Sequence, residues 1–181
     1  MRKVVYGGAM SLDGYIAGPN GEYDWIVMDP DIDFSEMSRF DTFLIGRKTL
    51  EAMQRMGGGP PMPGITSIVF SRTLKPGDCP KSMTLSNDAE GFVADLRKQP
   101  GKDIALFGGG ELFRSLLAVG LVDEVAFSVV PVLLGGGIPL LPSPADRARL
   151  RLKGHRVYEK TGTVGLEYDI LPRSGRAKSK R

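Results

Sequence analysis

The fold is decided by the stretch Leu106-Phe107-Gly108-Gly109-Gly110-Glu111-Leu112-Phe113. Residues 104–107 form a short apolar run, which is typical of a strand whose sheet is covered by helices on both faces. Three glycines follow, and an amphipathic helix begins directly after them. Glycines allow a close approach to backbone N–H groups, and a helix N-terminus attracts anions. The stretch therefore predicts an α/β fold with an anion site, most economically for phosphate, at this junction.

The sequence of this junction matches neither the Rossmann glycine motif nor the P-loop, two well-known phosphate-binding loops. Gly108 and Gly110 fit the first two glycines of G-x-G-x-x-G, but Phe113 occupies the third, which in Rossmann folds lets helix and strand pack closely. No Gly-Lys-Ser/Thr follows, which excludes a P-loop. A glycine cluster also turns a strand into a helix without any ligand, so the junction alone leaves a structural role open.

Length and composition are those of one globular domain without a metal or disulfide. The 181 residues are 41% hydrophobic and 25% charged. Nothing resembles a membrane span or a signal peptide, so we expect a cytoplasmic protein with no membrane partner. Cys79 and His155 are the only residues of their types, which excludes a disulfide, a zinc site and a Cys/His catalytic pair.

The basic charge of the chain is local. Of its 24 basic residues, five lie in residues 173–181, which leaves 19 against 21 acidic residues elsewhere. We therefore predict a domain over residues 1–171 and a basic, disordered tail over residues 172–181. A nucleic-acid partner is not expected.

Two further strand ends carry anion-binding features. Residues 42–46 read as a buried strand that enters a helix through Gly46-Arg47-Lys48-Thr49, and the strand 66–70 ends in Ser71-Arg72-Thr73. Basic residues at a helix N-terminus oppose the macrodipole at about 0.3–1 kcal/mol each, so a bound anion would compensate. Ligands of open α/β sheets bind beyond the carboxyl ends of the strands. One ligand that uses all three strand ends is a dinucleotide with a 2′-phosphate, which indicates NADPH.

The last third of the chain changes its pattern. Residues 125–132 predict a long strand, in which Pro131 fits best at an edge or bulge, and residues 150–158 and 163–171 predict a closing hairpin. Val164, Leu166, Tyr168 and Ile170 alternate with less apolar residues, as in a half-exposed antiparallel strand. The fold class is therefore α/β with a mixed, mostly parallel sheet and an antiparallel C-terminal hairpin.

Candidate catalytic groups lie between the first strand and the buried strand at residues 42–46. Ser11 and Asp13 leave the first strand, where they serve either a plain loop or a cleft. Asp33 or Ser35 begins a short helix. As an N-cap, Asp33 would satisfy backbone donors; as a cleft acid, it would have a raised pKa suited to proton donation.

Taken in order, the motifs resemble those of the dihydrofolate reductase superfamily over residues 1–171. The resemblance is closest to the reductase domain of the bifunctional deaminase-reductase of riboflavin biosynthesis, here as a stand-alone domain, because one His and one Cys cannot build the zinc signature of the deaminase. The motifs that carry it are Ser11-Leu12-Asp13-Gly14-Tyr15-Ile16-Ala17, Leu44-Ile45-Gly46-Arg47-Lys48-Thr49, Ser71-Arg72-Thr73, Phe107-Gly108-Gly109-Gly110 and residues 132–141.

The resemblance implies a three-layer α/β/α fold with NADPH lying across the sheet, and a homodimer. It assigns Gly46, Arg47, Lys48 and Thr49 to the pyrophosphate, Ser71 and Arg72 to the 2′-phosphate, and Gly108, Gly109, Gly110 and Glu111 to the central phosphates and the nicotinamide side. Ser11, Asp13 and Gly14 would lie near the nicotinamide and substrate. Asp33 would be the substrate-binding carboxylate, with Glu36, Asp31 and Asp29 as alternatives.

The implied activity is hydride transfer from NADPH to a polarised C=N or C=O carbon, with an acid or an ordered water as the proton source. The implied type is 5-amino-6-(5-phosphoribosylamino)uracil reductase. A dihydrofolate or pterin reductase and a catalytically silent NADP-binding module are the alternatives.

Overall fold

The computed structural model describes residues 1–55, 57 and 64–172. Residues 173–181 of the tail predicted at 172–181, and most of a Gly/Pro-rich loop at 57–64, therefore lie outside the described residues. No helix in the described ranges is long and apolar enough to cross a lipid bilayer. The elements are β1 (Val4–Ser11), β2 (Tyr15–Ala17), a 3-10 helix (Phe34–Arg39), β3 (Phe40–Gly46), α1 (Arg47–Arg55), β4 (Thr66–Phe70), a 3-10 helix (Pro76–Asp78), β5 (Met83–Ser86), α2 (Ala89–Leu96), β6 (Asp103–Gly108), α3 (Gly110–Ala118), β7 (Glu124–Val130), β8 (Ile138–Pro139), β9 (Leu150–Tyr158) and β10 (Thr163–Ile170).

An eight-stranded mixed sheet organises these elements. Its strand order is β5-β4-β3-β6-β1-β7-β10-β9. The strands from β5 to β7 are parallel, whereas β10 is antiparallel to both β7 and β9. The predicted α/β class, parallel body and antiparallel hairpin are confirmed. A second, two-stranded sheet of β2 and β8 was not predicted, because strands of three and two residues carry no periodic signal.

Helices cover both faces of the parallel body. On one face, Leu44 and Leu106 lie side by side and pack in one core cluster with Val93 of α2 and Leu116 of α3. On the other face, Phe43 packs in a second cluster with Leu50 and Met53 of α1. A fully buried side chain of this kind contributes about 1.5–3 kcal/mol. The continuous apolar runs of the sequence are therefore strands buried on both sides.

Proline sets the end of β7. The sequence predicts a strand through residue 132, but β7 ends at Val130. Pro131 has no N–H to donate to a neighbouring strand. Val132 instead donates to the carbonyl of Val130 at 2.8 Å, which forms a tight turn at the end of the strand.

A buried carboxylate joins the amino-terminal ends of the parallel strands. Glu124, at the start of β7, is 2% exposed. Lys3 Nζ lies 2.6 Å from Oε1, and Lys153 Nζ and Arg39 Nη2 lie 3.0 Å and 3.2 Å from Oε2. Burial alone would raise the pKa of Glu124, but the hydrogen bonds and positive charges of these partners outweigh it and lower the pKa to about 2.

We expect this carboxylate to make stability depend on pH. Because the pKa of Glu124 falls from 4.5 to about 2 on folding, its contribution is complete above about pH 5 and is lost as the pH falls toward 2. Glu124→Gln should lower the free energy of unfolding at pH 7 by about 3 kcal/mol and flatten this acid dependence. Urea unfolding from pH 3 to pH 7 measures both effects.

Glu167→Gln is the matched control, since Glu167 also faces Lys153, at 3.5 Å, but is 39% exposed. Its cost should stay within about 1 kcal/mol. An acid dependence of Glu124→Gln equal to that of the unsubstituted protein would show that the cluster does not act in this way.

Candidate functional site

An open cleft of about 1170 Å³ lies at the carboxyl ends of the parallel strands. Residues 6–9, in the middle of β1, form part of its wall, together with the residues that follow β3, β4, β5 and β6. Pro19–Asn20–Gly21, Tyr23 and Ile26 border it on another side. This is the edge of an open α/β sheet at which ligands bind.

The β6–α3 junction leaves no room for a side chain at Gly108 or Gly110. Gly108 has φ +152°, and a Cβ there would lie 2.9 Å from Thr49 Oγ1. A Cβ at Gly110 would lie 2.8 Å from the carbonyl oxygen of Pro139. Gly109 is the N-cap of α3 and provides no capping side chain. The first N–H groups of α3 are therefore available to a ligand in the cleft.

The β3–α1 junction contacts the β6–α3 junction. A Cβ at Gly46 would lie 3.2 Å from the backbone nitrogen of Gly109, so the two glycine segments pack backbone to backbone. The first turn of α1 has no acidic residue. Arg47 is held by Glu51 at 2.5 Å, one turn along the helix, while Lys48 is exposed. Two helix N-termini and a lysine thus bring positive potential to one place.

The third strand end is a small hydrogen-bonded turn. Ser71 Oγ accepts hydrogen bonds from the backbone N–H groups of Thr73 at 3.1 Å and Leu74 at 3.0 Å. The backbone of Ser71 is tied to β5 through the carbonyl of Ser86 at 3.0 Å. These bonds fix the loop that presents the exposed Arg72 at the cleft.

The cleft brings together every residue that the sequence assigned to the cofactor. These residues come from three separate strand ends, and their binding role stays a prediction. They are Gly46, Arg47, Lys48, Thr49, Ser71, Arg72, Gly108, Gly109, Gly110 and Glu111.

Sequence reasoning missed further residues of the cleft wall. Arg114 Nη2 lies 2.6 Å from Glu111 Oε2, and this i,i+3 pair neutralises the acid beside the glycines. Asp88 caps α2 by accepting from the N–H of Gly91 at 2.9 Å. The sequence contains a signal for both features. The i,i+3 spacing of Glu111 and Arg114 predicts their ion pair, and Asp88 follows a fourth strand that ends at the same edge of the sheet. Asn20 and Tyr23 gave no comparable signal.

Ser11 and Asp13 fasten a loop and are absent from the residues that line the cleft. The buried Ser11 donates to Asp13 Oδ1 at 2.6 Å. Asp13 also accepts from the N–H groups of Leu134 at 3.2 Å and Gly135 at 2.8 Å. The hydrogen bond from Ser11 is the main reason that the pKa of Asp13 is lowered. The pair joins the β1–β2 turn to the loop before β8, and its catalytic role stays a prediction.

Asp33 is a helix N-cap, which is the first of the two roles predicted for it. Its carboxylate caps the 3-10 helix 34–39 by accepting from the N–H of Ser35 at 2.8 Å, and hydrogen bonding with Ser35 lowers its pKa. Of the alternatives, Asp29 is buried and accepts from Thr161 Oγ1 at 2.9 Å, and Asp31 pairs with Lys160 at 3.0 Å. Neither Asp33 nor its alternatives Glu36, Asp31 and Asp29 are among the described residues that line the cleft.

The cleft has an aromatic surface that the sequence did not indicate. Phe107 ends the apolar run of β6, which predicts burial, yet it is 43% exposed. Its ring stacks on Phe43 with the centroids 5.5 Å apart, and it lines the cleft. Tyr6 also lines the cleft, but its ring is buried against Phe113 in the other core cluster, and burial raises the pKa of its hydroxyl. The exposed ring of Phe107 therefore offers the apolar contact to a planar ligand.

Two solved structures with this architecture are similar to the chain over nearly its whole length. The "putative riboflavin biosynthesis protein" of Shewanella sp. PV-4 is 26% identical, with a TM-score of 0.79 over 95% of this chain and 100% of that one. Dihydrofolate reductase of Enterococcus faecalis, complexed with NADP(H) and RAB-propyl, has a TM-score of 0.70 at 19% identity, over 94% of this chain and 97% of that one. The second likeness shows the fold alone.

Sequence comparison shows the family. The uncharacterized protein YyaP of Bacillus subtilis is 34% identical over 179 residues, which cover 92% of this chain and 94% of that protein. The model of the RibD C-terminal domain matches residues 2–163. The dihydrofolate-reductase-like fold and the match over nearly the whole chain agree, and the chain belongs to the RibD C-terminal domain family.

Proposed function

We propose that the protein is an NADPH-dependent reductase that transfers hydride to a small heterocyclic or ribosylamine substrate. The observation that carries this proposal is the contact between two glycine junctions, Gly46 against Gly109, at the centre of the large cleft. It places the N-termini of α1 and α3 beside each other, as binding of adjacent phosphates requires. The family match and the likeness to a reductase complexed with NADP(H) support it.

The residues at the three strand ends fit the groups of this cofactor. The open first turns of α1 and α3 and the ammonium of Lys48 suit a pyrophosphate. Arg72 and Ser71 suit the adenosine 2′-phosphate, because a guanidinium binds a phosphate monoester bidentately. The exposed ring of Phe107 suits a planar group.

Bound NADPH would supply the hydride, and the chain would supply orientation. Gly7, Gly8 and Ala9 of β1 keep the cleft wall free of large side chains and leave room for two rings in contact. Holding reactants in a productive geometry is the main contribution of a protein to such chemistry. Hydrogen bonds lower the pKa of both Asp13 and Asp33, which disfavours either as a proton donor. We therefore assign the proton to water that enters the open cleft.

A phosphorylated substrate fits a further cation in the cleft. Arg55 is in the last turn of α1, about 12 Å along the helix axis from Arg47, too far to share the phosphates at the N-terminus. It lies beside the Asn20–Tyr23 segment, with its guanidinium 3.9 Å from a Cβ position at Gly21. A phosphoribosylamine of the riboflavin pathway would place its phosphate there. A pterin is the alternative substrate.

One observation favours a second candidate function, a catalytically silent NADP-binding module. The residues predicted as catalytic, Ser11, Asp13 and Asp33, are not among the described residues that line the cleft. Such a module would bind NADPH without oxidising it in the presence of any pyrimidine or pterin substrate.

Binding of NADPH and NADH tests the cofactor assignment. We expect NADPH to bind at least about 10-fold more tightly, because charge-assisted hydrogen bonds to the 2′-phosphate contribute about 1.5–3 kcal/mol. Arg72→Ala should weaken NADPH binding by about 10- to 100-fold and leave NADH binding unchanged. Fluorescence titration measures both.

Lys75→Ala removes a positive charge three residues further along the same exposed loop, outside the cleft, and should leave both affinities unchanged. Equal binding of the two cofactors by the unsubstituted protein would overturn the NADPH assignment.

Asp33→Asn tests the source of the proton. Asparagine caps a helix about as well as aspartate, so stability should stay within about 0.5 kcal/mol, whereas Asp33→Ala should cost about 1 kcal/mol. If water is the proton donor, both variants should oxidise NADPH with substrate at the unsubstituted rate. Turnover that falls more than 10-fold in both variants would restore Asp33 as a catalytic carboxylate.

A further inference from the structure

A second run of three glycines, Gly135-Gly136-Gly137, lies directly before the short strand β8. Gly137 has φ +150°, and a Cβ there would lie 2.2 Å from the carbonyl oxygen of Ala17 in β2. The two short strands β2 and β8 therefore pack backbone to backbone. They form one side of the cleft, here called the β2–β8 wall, whose cleft-lining residues are Ile16, Ala17, Gly137, Ile138 and Pro139.

The β2–β8 wall reaches the start of α3. A Cβ at Gly110, the first residue of α3, would lie 2.8 Å from the carbonyl oxygen of Pro139 and 2.8 Å from Cδ of Pro142. Leu140 donates its N–H to the carbonyl of Gly14 at 2.9 Å, which ties the end of β8 to the turn between β1 and β2. A displacement of the wall would therefore change the shape of the cleft beside the N-terminus of α3.

Asp13 holds the other end of the β2–β8 wall. Its carboxylate accepts hydrogen bonds from the hydroxyl of Ser11 at 2.6 Å and from the N–H groups of Leu134 at 3.2 Å and Gly135 at 2.8 Å. The buried hydroxyl of Ser11 in turn accepts from the N–H of Tyr15, the first residue of β2, at 3.0 Å. Asp13 thus joins the turn before β2 to the loop before β8.

The order of the strands relates the β2–β8 wall to the ends of the proposed cofactor. The order β4-β3-β6-β1 leads from the strand that precedes Arg72, across the two glycine junctions, to β1, which β2 contacts. With neighbouring strands about 4.8 Å apart, β1 lies about 14 Å from β4. A dinucleotide with its 2′-phosphate at β4 and its pyrophosphate at β3 and β6 would therefore have its nicotinamide at β1, beside the wall.

We propose that Asp13 is a positioning residue for the nicotinamide end of the cofactor, and this inference rests on the proposed NADPH function. Asp13 is not among the described residues that line the cleft, so it acts through the β2–β8 wall. A carboxylate suits this role because it only accepts hydrogen bonds, and its two oxygens can serve a hydroxyl and two N–H groups at once. The wall held in this way restricts the orientation of the nicotinamide, which hydride transfer requires.

Asp13→Asn tests this role with two ligands, NADPH and adenosine 2′,5′-bisphosphate, a fragment that has the 2′-phosphate but no nicotinamide. The amide of asparagine turns an N–H group toward one of the three donors, so at least one bond to the wall is lost. We expect Asp13→Asn to weaken NADPH binding at least about 10-fold and to leave binding of the fragment unchanged. Isothermal titration calorimetry measures both affinities, and a general loss of structure would weaken both.

Asp78→Asn is the matched control. Asp78 also accepts a hydrogen bond from a loop N–H, that of Lys75 at 2.9 Å, but it is not among the described residues that line the cleft or contact the β2–β8 wall. This variant should bind NADPH and the fragment as the unsubstituted protein does.

Hydrogen exchange of the unsubstituted protein provides a second readout if Asp13→Asn fails to fold. The amides of Leu134 and Gly135 should exchange slowly, because they donate to Asp13. NADPH should slow exchange in residues 134–140 further, whereas adenosine 2′,5′-bisphosphate should not. Identical exchange with the two ligands would contradict the proposed role of Asp13.

The outcomes separate this inference from the proposed function. Equal losses of affinity for both ligands in Asp13→Asn, or no loss for either, would overturn the positioning role and leave the NADPH assignment intact. An unsubstituted protein that binds NADPH no better than NADH would overturn the proposed function, and this inference with it.

Discussion

The site depends on the close approach of two backbones, since a Cβ at Gly46 would lie 3.2 Å from the backbone nitrogen of Gly109. The parallel register of β3 with β6 brings these strand ends to the same level. The helices that follow then begin side by side, with their positive ends at one cleft. A side chain at Gly46 would press on the backbone of Gly109 and push the two helix termini apart.

The charged residues at the two ends of the sheet differ in whether they have partners within the protein. At the amino-terminal end, Glu124 gathers Lys3, Arg39 and Lys153 in a buried cluster whose charges are satisfied within the protein. At the carboxyl end, Lys48 and Arg72 are exposed to the cleft. The charges of this cluster are satisfied within the protein, whereas Lys48 and Arg72 remain exposed at the edge where we propose that the cofactor phosphates bind.

The sequence predicts those parts of the molecule that depend on local pattern. Continuous apolar runs identify the buried strands, and the glycine and basic residues after them identify the cleft, because parallel strands must end at one edge. Phe107 is exposed in spite of its apolar run because the strand reaches the cleft there, which no local pattern reports. Asp33 shows a different limit of sequence-based prediction. An aspartate before a helix can serve as a cap or as a catalytic acid, and the sequence does not distinguish the two roles. The hydrogen bond that Asp33 accepts from the N–H of Ser35 identifies it as a cap.

A crystal structure of the protein with NADPH would test the central claim most directly. We predict the pyrophosphate at the N-termini of α1 and α3, and the 2′-phosphate beside Ser71 and Arg72. A cofactor bound elsewhere, or a 2′-phosphate that points away from Arg72 into solvent, would contradict the assignment of the three strand ends to one dinucleotide.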